Sequence, residues 1–184
     1  MARKDRIDHG PNPSDDPSCK ELREIEEFLA RGDTDQLEFA SQLVDSFPYE
    51  QDGYHGDPWM VHAVSSGRLN SVKWMIAKGV DPNPKVDDGY PPILTCLELR
   101  SPEKHQILAA LIAAGADIGA QGINGWTPLH MAAIRDDEIS IRMLLEAGAD
   151  RTITTGIDDD ATAEQEARTL GHWTSAEIIA RFGS

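Results

Sequence analysis

Three stretches of the chain end alike: Ile76-Ala77-Lys78-Gly79-Val80-Asp81, Leu111-Ile112-Ala113-Ala114-Gly115-Ala116-Asp117 and Leu144-Leu145-Glu146-Ala147-Gly148-Ala149-Asp150. Each is an apolar helix end, then a glycine suited to the left-handed position that closes a helix, then an aspartate. The starts repeat as well. Thr127-Pro128-Leu129-His130-Met131-Ala132-Ala133 matches Pro58-Trp59-Met60-Val61-His62-Ala63-Val64 and Pro91-Pro92-Ile93-Leu94-Thr95-Cys96-Leu97, and more weakly Thr162-Ala163-Glu164-Gln165-Glu166-Ala167-Arg168. The starts at 58, 91, 127 and 162 lie 33, 36 and 35 residues apart. Units this short cannot bury their own apolar flanks, so they must stack side by side.

Local chemistry agrees. Thr-Pro opens a helix, with the hydroxyl as cap and the ring at the first helical position. Ala63, Cys96, Ala132 and Ala167 recur at one register position, where small side chains let neighbouring helices approach closely. Asp-Gly in 85–90 and Asn-Gly in 121–126 are tight-turn pairs between units.

The Thr127-Pro128-Leu129-His130-x-Ala132-Ala133 start, with Gly-Ala-Asp some eighteen residues on, resembles the ankyrin repeat. Gly171-His172 and Ala63-Val64-Ser65-Ser66-Gly67-Arg68 resemble the segment joining that family's two helices. The resemblance covers about 50–184 and implies an all-α solenoid: stacked helix-turn-helix units with projecting hairpin-like fingers. Expected organisation is a disordered, acidic and Pro-rich tail over 1–17, a helical capping unit over 18–48, and repeats over 49–184.

In the capping unit, Ser18 and Glu21 have capping-box spacing. Leu22, Ile25, Phe28 and Leu29 mark one helical face, and Leu37, Ala40, Leu43 and Val44 mark a second helix closed by Pro48. The repeats also depart from one another. The second is longer, and Ser101-Pro102-Glu103 reads as a fresh helix start after a bulging loop. In the third, Asp136-Asp137 replaces Gly-His, which predicts a slightly strained corner. Glu164, Gln165 and Glu166 put a polar face on the fourth, as suits a unit with no successor.

Composition limits function. Seventeen Lys and Arg against 32 Asp and Glu leave a net charge of −15, which argues against binding phosphate backbones and favours a basic protein partner. No apolar run is long enough to span a membrane, and the basic N-terminus lacks the apolar core of a secretory signal. With two cysteines and no disulfide framework, a reducing, cytoplasmic setting is expected.

The six histidines show no zinc-ligand spacing, and Asp158-Asp159-Asp160 lacks the alternation of a calcium loop. The glycines of 115–125 fit no phosphate-binding motif. Cys96 reads as an inert core thiol and Cys19 as an incidental exposed one. No metal, cofactor or catalytic residue is expected, and the chain reads as a non-enzyme.

What remains is surface. By motif position, the ankyrin resemblance implies binding through fingers and the exposed positions of the first helices, which line a concave face. The finger set is Tyr54, His55, Asp57, Asp87, Asp88, Tyr90, Ile123, Asn124, Trp126, Asp158, Asp159 and Asp160. The helix set is Ser65, Ser66, Glu98, Leu99, Ile134 and Arg135. Tyr54, Tyr90 and Trp126 stand on successive fingers among carboxylates, as interface anchors do, whereas Trp59 and Trp74 read as packing.

The expected function is a protein-binding module, monomeric when unbound, that acts as an inhibitor or immunity-type protein by occluding a basic enzyme. The rivals are an adaptor linking two proteins and an enzyme of unrecognised type.

Overall fold

Pro58, Pro91, Thr127 and Thr162 each stand immediately before a helix with extended backbone, so the repeated starts act as helix starts. Thr127 and Thr162 add side-chain capping boxes, with His130 and Gln165 bonding back. The computed structural model describes residues 17–86, 89–156 and 160–183. Five helix pairs run through them: α1 (Pro17–Arg31) and α2 (Thr34–Ala40), α3 (Trp59–Ser65) and α4 (Leu69–Ala77), α5 (Pro92–Glu98) and α6 (Lys104–Ala113), α7 (Pro128–Ile134) and α8 (Glu138–Glu146), α9 (Ala163–Thr169) and α10 (Trp173–Arg181).

Odd-numbered helices pack on one another in one row and even-numbered helices in a second, with each pair joined across the rows. The fold is all-α. Strand-like pairing among the described residues is confined to the isolated bridges Gln51–Pro58 and Thr154–Thr162 at finger bases. No helix among them is long and apolar enough to cross a membrane.

The core runs the length of the stack. Ala63, Cys96, Ala132 and Ala167 are fully buried, as the close approach of first helices requires. Burial pushes the Cys96 thiol up to about 12, so it is inert at neutral pH. Phe47 meets Trp59 edge-on and stacks on Trp74, confirming both tryptophans as packing residues. Replacing Ala132 by Leu adds methylenes to a seam with no free space, and the expected loss is about 1–3 kcal/mol in urea unfolding. An unchanged midpoint would mean that the α5–α7–α9 seam is looser than this packing shows.

Polar stitches join the units. Ser71 Oγ donates to Leu29 O (2.7 Å), Ser101 Oγ to Gly67 O (2.7 Å) and His172 Nδ1 to Ala133 O (3.1 Å). In each case a side chain of one unit bonds a carbonyl at or just beyond the C-terminal end of a helix in the preceding unit.

Several expectations need correction. The helix α1 starts at Pro17, so Ser18 lies inside it rather than ahead of it as a cap. That start puts Cys19 on the same face as Leu22, Ile25 and Leu29, and it is buried rather than exposed. The second helix stops at Ala40. Ser41 Oγ bonds back to Glu38 O (2.8 Å) and turns follow, leaving Leu43 exposed rather than on an apolar helical face. The loop 99–103 is longer than the other inter-helix corners, as expected, but α6 begins at Lys104, after the Ser-Pro-Glu segment. Ser101 Oγ accepts the Glu103 N–H (3.1 Å) just ahead of that helix, as a cap would, while donating to Gly67 O. Residues 1–16 of the expected tail lie outside the described residues.

Candidate functional site

The candidate interface is built on the fingers and on the exposed edge of the α3–α5–α7–α9 row. In the first finger, the buried Asp52 carboxylate accepts the backbone N–H groups of Tyr54 (2.8 Å), His55 and Asp57 (2.7 Å), and the His62 ring at 3.1 Å. His62 in turn lies 3.3 Å from Glu26 of α1, so one knot joins α1, the finger and α3. Asp52, Asp57 and His62 lie close enough to suggest metal ligation, within 4.8 Å of one another. The Asp52 oxygens, however, already accept four hydrogen bonds, which is their full complement. The cluster therefore holds a turn and presents Tyr54 and His55, whose rings meet edge-on at 4.6 Å. Sequence reasoning missed Asp52; the available signal was Asp52-Gly53, an Asx-turn pair.

Burial alone would raise the Asp52 pKa, but the three N–H donors and His62 outweigh it and hold it at about 2, against the usual 3.8. A depressed carboxylate stabilises the fold above its unfolded pKa and loses that contribution as pH falls through the folded one. The contribution is about 2 kcal/mol. Asp52→Asn should therefore trail the natural chain at pH 6, with the gap closing between pH 4 and 2. A gap independent of pH would show that the carboxylate's charge does not hold this turn.

The third finger is a 3-10 turn, Ile123–Gly125, closed by Gly122 N–H to Trp126 O (2.9 Å). Asn124 sits at φ 70°, a left-handed conformation that asparagine tolerates. Its carbonyl accepts from Gly156 N–H of the fourth finger (2.9 Å). A Cβ at Gly125 would lie 2.8 Å from Gly156 N, so only glycine permits this contact between fingers. His130, buried below, bridges Thr127 and the Ala161 carbonyl (3.2 Å), and burial lowers its pKa. Its role is structural.

The proposed site residues divide by exposure. Tyr54, His55, Ile123, Asn124, Glu98, Arg135 and Asp160 are exposed and Asp57 is half-buried. Tyr90, Leu99, Trp126 and Ile134 are half-buried against the core. The Trp126 Nε1 is shielded without a partner, so its ring belongs as much to the stack as to the surface. Glu98 and Arg135 form an ion pair at 2.6 Å across neighbouring helices. Asp87, Asp88, Asp158 and Asp159 lie outside the described residues. One residue was overlooked. Leu170, 52% exposed, occupies the register of Ser66, Leu99 and Arg135, so the repeat spacing alone could have found it.

This geometry fits what comparison with known proteins finds. Residues 96–145, the second half of α5 through α8, match the model for ankyrin repeats (many copies). The chain carries ankyrin repeats. It is 31% identical to the mouse RelA-associated inhibitor, a match covering 56% of this chain and 12% of that protein. It is 30% identical to an ankyrin repeat-containing protein of Treponema pallidum, covering 51% and 31%. It is 29% identical to alpha-latrocrustotoxin-Lt1a of Latrodectus tredecimguttatus, covering 67% and 9%. The chain thus spans less than a third of each of these proteins. Ankyrin repeats are protein-binding modules and typically not enzymes, so this chain carries a protein-interaction scaffold.

Proposed function

We propose that the chain binds one basic protein through its fingers and first-helix row and, by covering a functional surface of that protein, inhibits it in the manner of an immunity-type protein. The carrying observation is the exposed apolar set of Tyr54 and Ile123, on fingers braced by hydrogen bonds, with Leu170 at the end of α9. Apolar groups on a preorganised surface hold a partner, and surrounding charge speeds its approach. The site comprises Tyr54, His55, Asp57, Asp87, Asp88, Tyr90, Glu98, Leu99, Ile123, Asn124, Trp126, Ile134, Arg135 and Asp158 to Asp160, with Leu170 added. A net charge of −15 favours a basic partner over self-association. The name of the matched mouse protein as an inhibitor lends support to occlusion. Two unpaired cysteines, both buried, accord with a reducing, cytoplasmic setting.

The test is affinity capture at low salt from the native source, using the natural chain and an Ile123→Asp/Leu170→Asp variant side by side. A basic protein retained by the first and lost by the second, whose activity falls on adding the chain, is the expected outcome. Equal capture by both would refute the site, and a captured partner with unaltered activity would favour the adaptor.

A further inference from the structure

The N-terminal helix pair offers a second, separate surface. On one side α1 packs against α3 and α2 against α4. A cleft of about 110 Å³ is lined wholly by α1, α2 and the turns after α2, with no residue from α3 or α4. Phe28, Phe39, Leu43 and Val44 form its apolar part, and Glu21 and Glu24 are its charged lining residues. Phe39 is 57% and Leu43 66% exposed, while Phe28 and Val44 lie half-buried on the core. The three middle pairs, α3–α4, α5–α6 and α7–α8, are instead flanked by helices of neighbouring pairs on both sides.

We propose that this cleft docks a cationic amphipathic helix of a partner protein. Its apolar side chains, at i, i+3 or i+4 and i+7, enter between Phe39 and Leu43, and its Lys or Arg residues face Glu21 and Glu24. Two observations select that occupant. The cleft lies between two helices, the setting in which an amphipathic helix lays down its apolar face. Its lining charges are both negative, on a chain of net charge −15, so a basic helix is attracted and a second copy is repelled. Residues 1–16 fit less well. Met1 and Ile7 are the sole large aliphatic side chains there, and a six-residue separation puts them on no common helical stripe.

The probe is a fluorescently labelled 14-residue peptide of leucine and lysine with leucines at helical spacing, read by anisotropy with the full chain. It should bind, and a leucine–glutamate peptide of the same pattern should not. Phe39→Ser with Leu43→Ser leaves net charge unchanged and alters two exposed side chains, with folding checked by melting. Affinity should drop at least tenfold. Glu21→Gln with Glu24→Gln should weaken binding and flatten its salt dependence, while Ile123→Asp should leave it unaltered, separating this surface from the fingers. Unchanged affinity in the serine variant would reduce binding to charge adsorption and overturn the proposal. Binding only after removal of residues 1–16 would make that segment the occupant. A dimer of the natural chain abolished by Leu43→Ser would make it a second copy; either result overturns the partner helix.

Discussion

Asp137→Ala is expected to lower unfolding stability by about 3–5 kcal/mol, as breaking a buried ion pair does. The Asp137 carboxylate meets Lys104 Nζ at 2.6 Å and His105 Nε2 at 3.0 Å, both from α6. It also caps α8 by accepting Ser140 N–H (3.1 Å) and Oγ–H (2.7 Å). Burial opposes its ionisation, but Lys104, Ser140 and His105 outweigh burial and hold it well below the usual carboxylate range. Deleting it strands the partly buried Lys104 charge and uncaps a helix together. Asp137→Asn keeps an acceptor for Ser140 and should lose less. Urea unfolding of both variants checks this; a loss below about 1 kcal/mol for Asp137→Ala would mean that Lys104 regains water freely.

That cluster also marks the limit of what the sequence makes legible. Helix starts near 58, 91, 127 and 162 follow from motif spacing, because each cap acts within its own turn. The buried alanines and Cys96 follow from register. Asp136 does adopt the left-handed conformation foreseen for this corner, at φ 53°. Its further bond to Ser175 Oγ (2.6 Å), and the Asp137 ties to Lys104 and His105, join residues more than thirty positions apart. Motif position cannot show which of many carboxylates finds which cation. Likewise the end of α2 at Ala40 depends on a local Ser41 bond, which competes with an apolar pattern that would extend the helix. For the candidate site, position on the fingers was legible but exposure was not. Trp126 and Ile123 sit three residues apart on one finger, yet one ring is tucked into the stack and the other side chain projects.

Ile123→Asp combined with Leu170→Asp is expected to weaken partner binding by about 2–4 kcal/mol, mainly through faster dissociation. Both side chains are more than half exposed, so their loss costs the free fold little, whereas a bound interface would have to bury two carboxylates. Trp126→Ala should also speed dissociation, but its half-buried ring makes that variant a test of folding as well. Asp87→Asn with Asp88→Asn should instead slow association and flatten its salt dependence, since charges at an interface edge steer encounter. Surface-plasmon traces of the captured partner separate the two signatures. Unchanged dissociation in the double aspartate variant would move the binding face elsewhere.

The most direct test of a finger-and-first-helix interface is site-specific photo-crosslinking in the native extract. A photoreactive phenylalanine analogue placed at Ile123 or at Leu170 is expected to trap the same basic protein. The same group at Lys73 or Arg142, exposed on the second-helix row, is expected to trap none of it. Crosslinking of that protein from Lys73 or Arg142, with none from Ile123 and Leu170, would contradict the interface.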